Sequence, residues 1–233
     1  MLLDDLGPLA QLRAGRLPRR LVQLLLGLVL YGVSLALLVR AGLGAAPWDV
    51  LHLGLTDYLP LSLGQVVIVM SFVVLLAWIP LRERPGVGTI ANALVVGLAA
   101  DATLALLAAP DGLVLRGVLM VLGVLLNGLA TAAYIGAQLG RGPRDGLMTG
   151  LSRRTGLSLR LVRTGLEVTV VVLGLLLGGV AGVGTVLYAL AIGPVTQALL
   201  PTFTVRTVAR PAVGRAASAS ERRRDPRTSA HRR

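Results

Sequence analysis

The chain has 233 residues, of which 55% are hydrophobic, and its formal net charge of +12 comes from arginine with no lysine. A mean hydropathy of +0.77 is higher than that of ordinary water-soluble domains and predicts a membrane protein. The sequence has no cysteine, which excludes disulfides and cysteine-based metal sites, and two histidines are too few for a histidine metal centre. We therefore expect no metal and no cofactor.

Six apolar stretches follow a short basic leader at residues 1–20. A helix needs about 20 residues to cross about 30 Å of hydrocarbon, and helices are the default because the bilayer core offers no water to backbone groups. The predicted spans are 21–39, 61–81, 89–109, 113–136, 157–177 and 185–200. They define a membrane domain over residues 21–205, and residues 206–233 form a basic tail that we expect to be disordered.

Two segments between spans are broken rather than continuous, namely 41–60 and 137–156. Treating the second as a full span would bury four arginines, at roughly 2.5–3.5 kcal/mol each on insertion scales. With both segments outside the set of spans, almost all arginines fall on one side of the membrane, which is the positive-inside pattern. The sequence therefore predicts that the leader and the tail are cytoplasmic, that 41–60 faces outside and that 137–156 faces inside.

The two halves of the membrane domain repeat each other at an offset of 96 residues. Residues 43–49 read LGAAPWD and fall on 139–145, which read LGRGPRD, and a GVGT tetrapeptide recurs at the same offset. A period this long, present only twice, is typical of a duplicated membrane unit. Since each copy, 21–104 and 117–200, holds three spans, the second copy has the opposite orientation in the bilayer. We predict an all-α membrane protein of six transmembrane helices in two inverted three-helix repeats.

The broken segment after the first helix of each repeat carries the pattern Pro-x-Asp. In the first copy it is Pro47, Trp48 and Asp49. In the second copy it is Pro143, Arg144 and Asp145. Proline suits the first turn of a helix, and a carboxylate there complements the positive end of the helix dipole. We expect a bend and a short helix, which is either a re-entrant binding element or an interfacial loop with Trp48 as an anchor.

These segments resemble the YczE/YitT-like family of bacterial integral membrane proteins. The resemblance rests on 42–51 (GLGAAPWDVL) with 84–89 (RPGVGT), and on 140–147 (GRGPRDGL) with 182–185 (GVGT). It covers about residues 20–205 and leaves out the basic tail. It implies a multi-pass bacterial membrane protein and indicates no substrate.

Two acidic residues lie inside predicted spans, where a charge is costly and usually marks a functional site. Asp101 has no cation nearby in the sequence, and its alternative role is that of an acid hydrogen-bonded across helices. Glu167 has Arg163 one turn earlier, so an intrahelical ion pair is its alternative role. We predict substrate-binding or coupling roles for Asp101, Glu167 and the two Pro-x-Asp segments.

The sequence contains none of the common catalytic motifs, and we therefore expect no enzyme and no catalytic residues. Inverted repeats with broken segments favour a transporter that moves a small solute or ion across the bacterial inner membrane by alternating access. The alternative is a non-transporting membrane scaffold or accessory factor for a cytoplasmic or membrane enzyme. The expected partners are the lipid bilayer, anionic headgroups at the arginine-rich tail and a small solute or ion, with no nucleic acid.

Overall fold

The computed structural model describes residues 7–207, and the regular elements within this range are all α-helices. They are α1 (Pro8–Arg13), α2 (Leu17–Ala41), α3 (Pro47–Thr56), α4 (Leu63–Leu81), α5 (Val87–Leu106), α6 (Leu113–Gly136), α7 (Pro143–Thr155), α8 (Leu159–Leu176) and α9 (Val183–Phe203). The predicted all-α class is confirmed. The predicted basic tail lies almost wholly outside the described residues.

Five of these helices, α2, α4, α5, α6 and α9, are long and apolar enough to cross a membrane. They coincide with five of the six predicted spans, and α2 begins at Leu17, before the predicted start of the first span. The remaining predicted span, 157–177, corresponds to α8, which carries Arg160, Arg163 and Glu167 within 18 residues and is not among the five. Many large apolar side chains of the long helices are exposed, as contact with lipid requires.

The two broken segments form the short helices α3 and α7, as their prolines predict. Pro47 and Pro143 each occupy the first position of a helix. A glycine bend precedes each helix, with φ of +116° at Gly44 and +131° at Gly140, values that only glycine adopts readily. With 10 residues, α3 is about 15 Å long, half of the hydrocarbon thickness, and most of its side chains are buried in protein.

α2 and α6 pack against each other along the centre of the molecule. Small residues allow the close approach, since a Cβ at Gly27 would lie 2.9 Å from the backbone nitrogen of Tyr134. Leu28, Val96 and Ala130 belong to a buried apolar cluster between α2, α5 and α6. Around this centre α5 packs on α2, α9 packs on α6, α4 packs on α5 and α7, and α8 packs on α3.

Two arginines join the halves through equivalent contacts. Arg20 is fully buried, and it donates from Nε to the carbonyl of Ala137 at 2.8 Å and from Nη2 to that of Gln138 at 2.6 Å. Arg116 lies 96 positions later and makes the same pair of bonds, to the carbonyls of residues 41 and 42, at 2.7 and 2.8 Å. Each arginine therefore binds the carbonyl end of the first long helix of the other half, where a positive charge complements the helix dipole.

Backbone hydrogen bonds connect the halves in the same reciprocal way. The N–H of Gly88 donates to the carbonyl of Leu139 at 2.7 Å, and the N–H of Gly184 donates to the carbonyl of Leu43 at 2.8 Å. Gly88 and Gly184 belong to the two GVGT tetrapeptides, and the acceptors begin the two Leu-Gly bends. The repeated motifs therefore form the backbone contacts between the two halves.

The halves differ at one pair of helices. α4 packs closely on α5, where a Cβ at Gly64 would lie 2.1 Å from the carbonyl oxygen of Gly97. In the second half Arg160 stands at the position equivalent to Gly64. A Cβ at Gly193, the equivalent of Gly97, would meet no heavy atom of the described residues within 4 Å. α8 and α9 therefore lie apart at the place equivalent to the close contact between α4 and α5, which we call the closed contact.

Candidate functional site: a central cavity at two helix starts

A cavity lies at the N-terminal ends of α3 and α7 and is also lined by α2, α4, α5 and α6. Its volume of about 60 Å³ is room for a few water molecules or for a small solute. Both Pro-x-Asp segments reach it, because Trp48, Asp49, Pro143, Arg144 and Asp145 all belong to its lining. Five of the eight predicted site residues are thus brought together, from segments that are far apart in the sequence.

Arg144 supplies the positive charge of the cavity. Its Nη2 donates to the hydroxyl of Tyr31 and lies 3.5 Å from the hydroxyl oxygen of Tyr188. Its guanidinium carbon lies 5.4 Å from the centroid of the Tyr31 ring, which is a cation–π distance. Among the described residues no carboxylate lies within 4.0 Å of the Arg144 nitrogens. The direct contacts of this charge are therefore with neutral aromatic groups, and the carboxylate of Asp145 acts on it from a longer distance.

Protein groups already bind both carboxylates of the cavity. His52 Nδ1 lies 3.1 Å from Asp49 Oδ1, within the first turns of α3. The Tyr134 hydroxyl donates to Asp145 Oδ2. Each aspartate also lies in the first turn of its helix, where the free N–H groups and the dipole offset a negative charge.

Two tryptophans differ in how their indole nitrogens are bonded. Trp78 Nε1 donates to the carbonyl of Pro143 at 2.9 Å and so fixes the start of α7. Its ring occupies the space beside Gly146, where a Cβ would lie 2.0 Å from Trp78 Cζ2. Trp48 also lines the cavity, and its buried Nε1 has no hydrogen-bond partner within residues 7–207. A buried donor without an acceptor costs about 1–3 kcal/mol, so this N–H of Trp48 is an exception to the bonded polar groups of the site.

A chain of hydrogen bonds supports the two tyrosines that hold Arg144. The Tyr188 hydroxyl donates to Asn127 Oδ1 at 2.9 Å, and Asn127 Nδ2 donates to Ser34 Oγ at 2.7 Å. Ser34 Oγ in turn donates to the carbonyl of Tyr31 at 2.6 Å. The chain crosses α9, α6 and α2, and such a bonded network is rigid because every member is fixed by its neighbours.

Asp101 lies outside the cavity, at the closed contact between α4 and α5. Its Oδ1 accepts from the backbone N–H of Gly64 at 2.8 Å, and its Oδ2 accepts from the hydroxyl of Ser62. This is the hydrogen bonding across helices that the sequence left open as an alternative. A coupling role for Asp101 stays a prediction.

Glu167 and Pro47 are also outside the lining. Arg163 Nε donates to Glu167 Oε1 at 2.9 Å on α8, which is the ion pair that their spacing indicates. A binding or coupling role for Glu167 stays a prediction. Pro47 lies at the first position of α3, and its place in the site is to start the helix that carries Trp48 and Asp49.

Sequence reasoning missed several residues that shape the cavity. His52 carries a local signal, because it follows Asp49 by three residues and the two side chains then share a helix face. Tyr31, Tyr134 and Trp78 carry no local signal, since tertiary packing alone brings them to the Pro-x-Asp segments. Within residues 7–207 no group of three or more His, Asp or Glu side chains is placed to hold a metal ion.

The apolar helices and the buried polar centre define a helical membrane protein. The chain belongs to the family of unknown function DUF6198, which matches residues 18–201. An uncharacterized protein of Haemophilus influenzae is 44% identical over 177 residues, which cover 76% of this chain and 81% of that protein. The uncharacterized membrane protein YczE of Bacillus subtilis is 33% identical over 172 residues, which cover 73% of this chain and 80% of YczE. The resemblance to YczE-like proteins is thereby confirmed, and no solved structure matches the chain.

Proposed function

We propose that this protein is a transporter that moves a small solute or ion by alternating access, and that the central cavity is its solute site. The observation that carries the proposal is the meeting of α3 and α7, whose N-terminal residues Trp48, Asp49, Arg144 and Asp145 line one cavity. In several transporter folds, helices that begin near the bilayer midplane offer their positive ends to the solute. The cavity residues would bind and release the solute without a catalysed reaction.

The proposal includes two inverted repeats of three spans each, over residues 21–104 and 117–200. The reciprocal bonds of Arg20 and Arg116 support it, because an interface in which each half gives the other the same contact has two-fold symmetry. With an odd number of spans per copy, the axis of that symmetry lies in the membrane plane. α8 would complete the six spans, with Glu167 neutralised by Arg163.

The difference between the halves supports alternating access. If two inverted copies exchange conformations, a closed contact in one copy opens as its equivalent in the other closes. Here α4 and α5 are closed at Gly64 and Gly97, whereas α8 and α9 lie apart at Gly193. If both termini are cytoplasmic in a bacterial inner membrane, the closed contact between α4 and α5 lies on the outer side. The structure is then an inward-facing conformation of the transporter. The Arg-rich tail would contact anionic headgroups on the inner leaflet.

Access to the cavity from both sides of the membrane tests the proposal, and the natural lack of cysteine allows a single-cysteine experiment. Ser71 lies on α4 and lines the cavity. We expect a small, charged methanethiosulfonate reagent to modify Ser71→Cys both in spheroplasts and in inside-out vesicles. The control is Leu125→Cys, at the middle of α6 with 49% exposure, which faces lipid in the proposal and is modified from neither side.

Modification of Ser71→Cys from one side only, or from neither side, would contradict alternating access. Modification from one side only would favour the scaffold alternative. That alternative has one observation in its favour, because Asp101 and Glu167 lie outside the cavity rather than in it.

A further inference from the structure

We propose that the cavity binds a small organic anion through its carboxylate, and that Arg144 is the residue that holds the carboxylate. The inference rests on the proposed function in taking the cavity as the solute site. Its basis is an imbalance among the polar groups of the lining, because donors are left without acceptors while the acids already have partners.

The first donor is Arg144 itself. A guanidinium offers five N–H groups in a planar fork, and only Nη2 of Arg144 has acceptors among the described residues, the hydroxyls of Tyr31 and Tyr188. Its Nε and Nη1 remain for an occupant. The fork matches the two oxygens of a carboxylate, which it binds through paired hydrogen bonds.

Further donors come from the starts of α3 and α7. The first residue of each helix is a proline without an N–H, and the N–H of Asp49 is bonded to the carbonyl of Ala46 at 2.8 Å. Each start still offers the N–H of its second residue and a partial positive charge of roughly half an elementary charge. Trp48 is only 6% exposed, and its buried indole N–H adds an unpartnered donor at the same place. This side chain is the independent sign that the helix starts face an occupant with acceptor atoms.

The acids of the cavity do not make it a cation site. Asp49 has His52 at 3.1 Å, and Asp145 accepts from Tyr134. Both also lie in the first turn of a helix, whose dipole offsets much of their charge. The two contacts of Arg144, to the hydroxyls of Tyr31 and Tyr188, both involve Nη2 and leave its other N–H groups for an occupant.

The rest of the lining fits a short apolar body rather than an inorganic anion. Val67, Met70, Val74 and Val96 line the cavity along with the aromatic rings, and Ser71 and Asn92 are the further polar residues of the lining. The apolar side chains offer no hydrogen bonds to the outer oxygens of a phosphate or a sulfate, most of which would lose water without replacement. A volume of about 60 Å³ limits the occupant to a few heavy atoms, such as a two- to four-carbon carboxylate.

Propionate is the probe, and its binding is measured on the purified full chain in detergent by titration calorimetry and by thermal unfolding. We expect propionate to bind and to raise the unfolding temperature, whereas propionamide, propylammonium and inorganic phosphate do not. Arg144→Gln is expected to lower propionate affinity by at least about tenfold, because charge-assisted hydrogen bonds are lost. Arg144→Lys keeps the charge but loses the fork, so its affinity lies between the two. The charge-matched control Arg160→Gln, on exposed residue 160 of α8, leaves the affinity unchanged.

A second measurement keeps Arg144 unchanged and so remains valid even if the Arg144 variants fail to fold. In Ser71→Cys protein, propionate should slow modification of the cysteine, and propylammonium should not. Stronger protection by propylammonium would assign the site to a cation, and stronger protection by phosphate would assign it to an inorganic anion. Either result, or unchanged propionate affinity in folded Arg144→Gln, would overturn the inference. Propionate binding with one-sided access of Ser71→Cys would leave the binding site standing and remove the transport proposal.

Discussion

The free energy of unfolding of an Arg20→Met variant is expected to be lower than that of the unchanged protein by about 3 kcal/mol or more. Arg20 is 0% exposed and donates to four carbonyls, those of Gln11, Gly15, Ala137 and Gln138. Methionine keeps much of the side-chain volume but donates no hydrogen bond, so buried acceptors at the end of α6 lose their partner. Each such acceptor costs about 1–3 kcal/mol. Thermal and denaturant unfolding in detergent measures the change.

The control for this variant is Arg19→Met, which removes the same charge from the neighbouring exposed position. We expect Arg19→Met to stay within about 0.5 kcal/mol of the unchanged protein, as exposed substitutions usually do. Arg116→Met should fall between the two, because Arg116 makes the equivalent bonds from a half-buried position. Equal stabilities of Arg20→Met and Arg19→Met would contradict the assigned role of Arg20.

A Gly44→Ala variant is expected to lose about 3 kcal/mol or more, and much of it should fail to fold. The φ of +116° at Gly44 is unfavourable for any residue with a Cβ, at about 1–3 kcal/mol. The new Cβ would also lie 2.5 Å from the backbone nitrogen of Gly182, which cannot move without the second GVGT turn. Overpacking of this kind adds about 1–3 kcal/mol. The yield of monodisperse protein and its unfolding temperature measure the loss.

Gly156→Ala separates the backbone effect from the steric clash. Gly156 has a φ of +73°, and a Cβ there would meet nothing within 4 Å among the described residues. Its replacement should therefore cost only the dihedral penalty, about 1–2 kcal/mol. If Gly44→Ala and Gly156→Ala are equally stable, the close contact between Gly44 and Gly182 does not hold the halves together.

Local rules explain why the sequence predicted the broken segments correctly. Proline at the first helical position and an aspartate two residues later act within one turn, so Pro47 and Pro143 mark the starts of α3 and α7 without tertiary information. The two segments meet in one cavity through packing of distant helices, and no local rule could show that Tyr134 binds Asp145. The same limit applies to Asp101, whose partners Ser62 and Gly64 lie at the start of another helix.

Arginines show a second limit of sequence reasoning. Counted as loop charges, Arg20 and Arg116 contribute only to the predicted orientation of the chain. In the structure both bind helix carbonyls, and Arg20 is buried rather than solvated. The charge count treats an arginine the same way whether it faces lipid headgroups or caps a helix, and only the structure distinguishes these roles.

The sidedness of two equivalent residues tests the inverted architecture most directly. Asp57 and Arg153 are exposed and lie 96 positions apart. Asp57 directly follows α3, and Arg153 lies in the last turn of α7. In spheroplasts, an impermeant thiol reagent should label Asp57→Cys and leave Arg153→Cys unlabelled until the membrane is permeabilised. Labelling of Arg153→Cys alone would reverse the orientation while keeping the halves inverted. Labelling of both from the same side would contradict the inverted repeats and, with them, the proposed mechanism of transport.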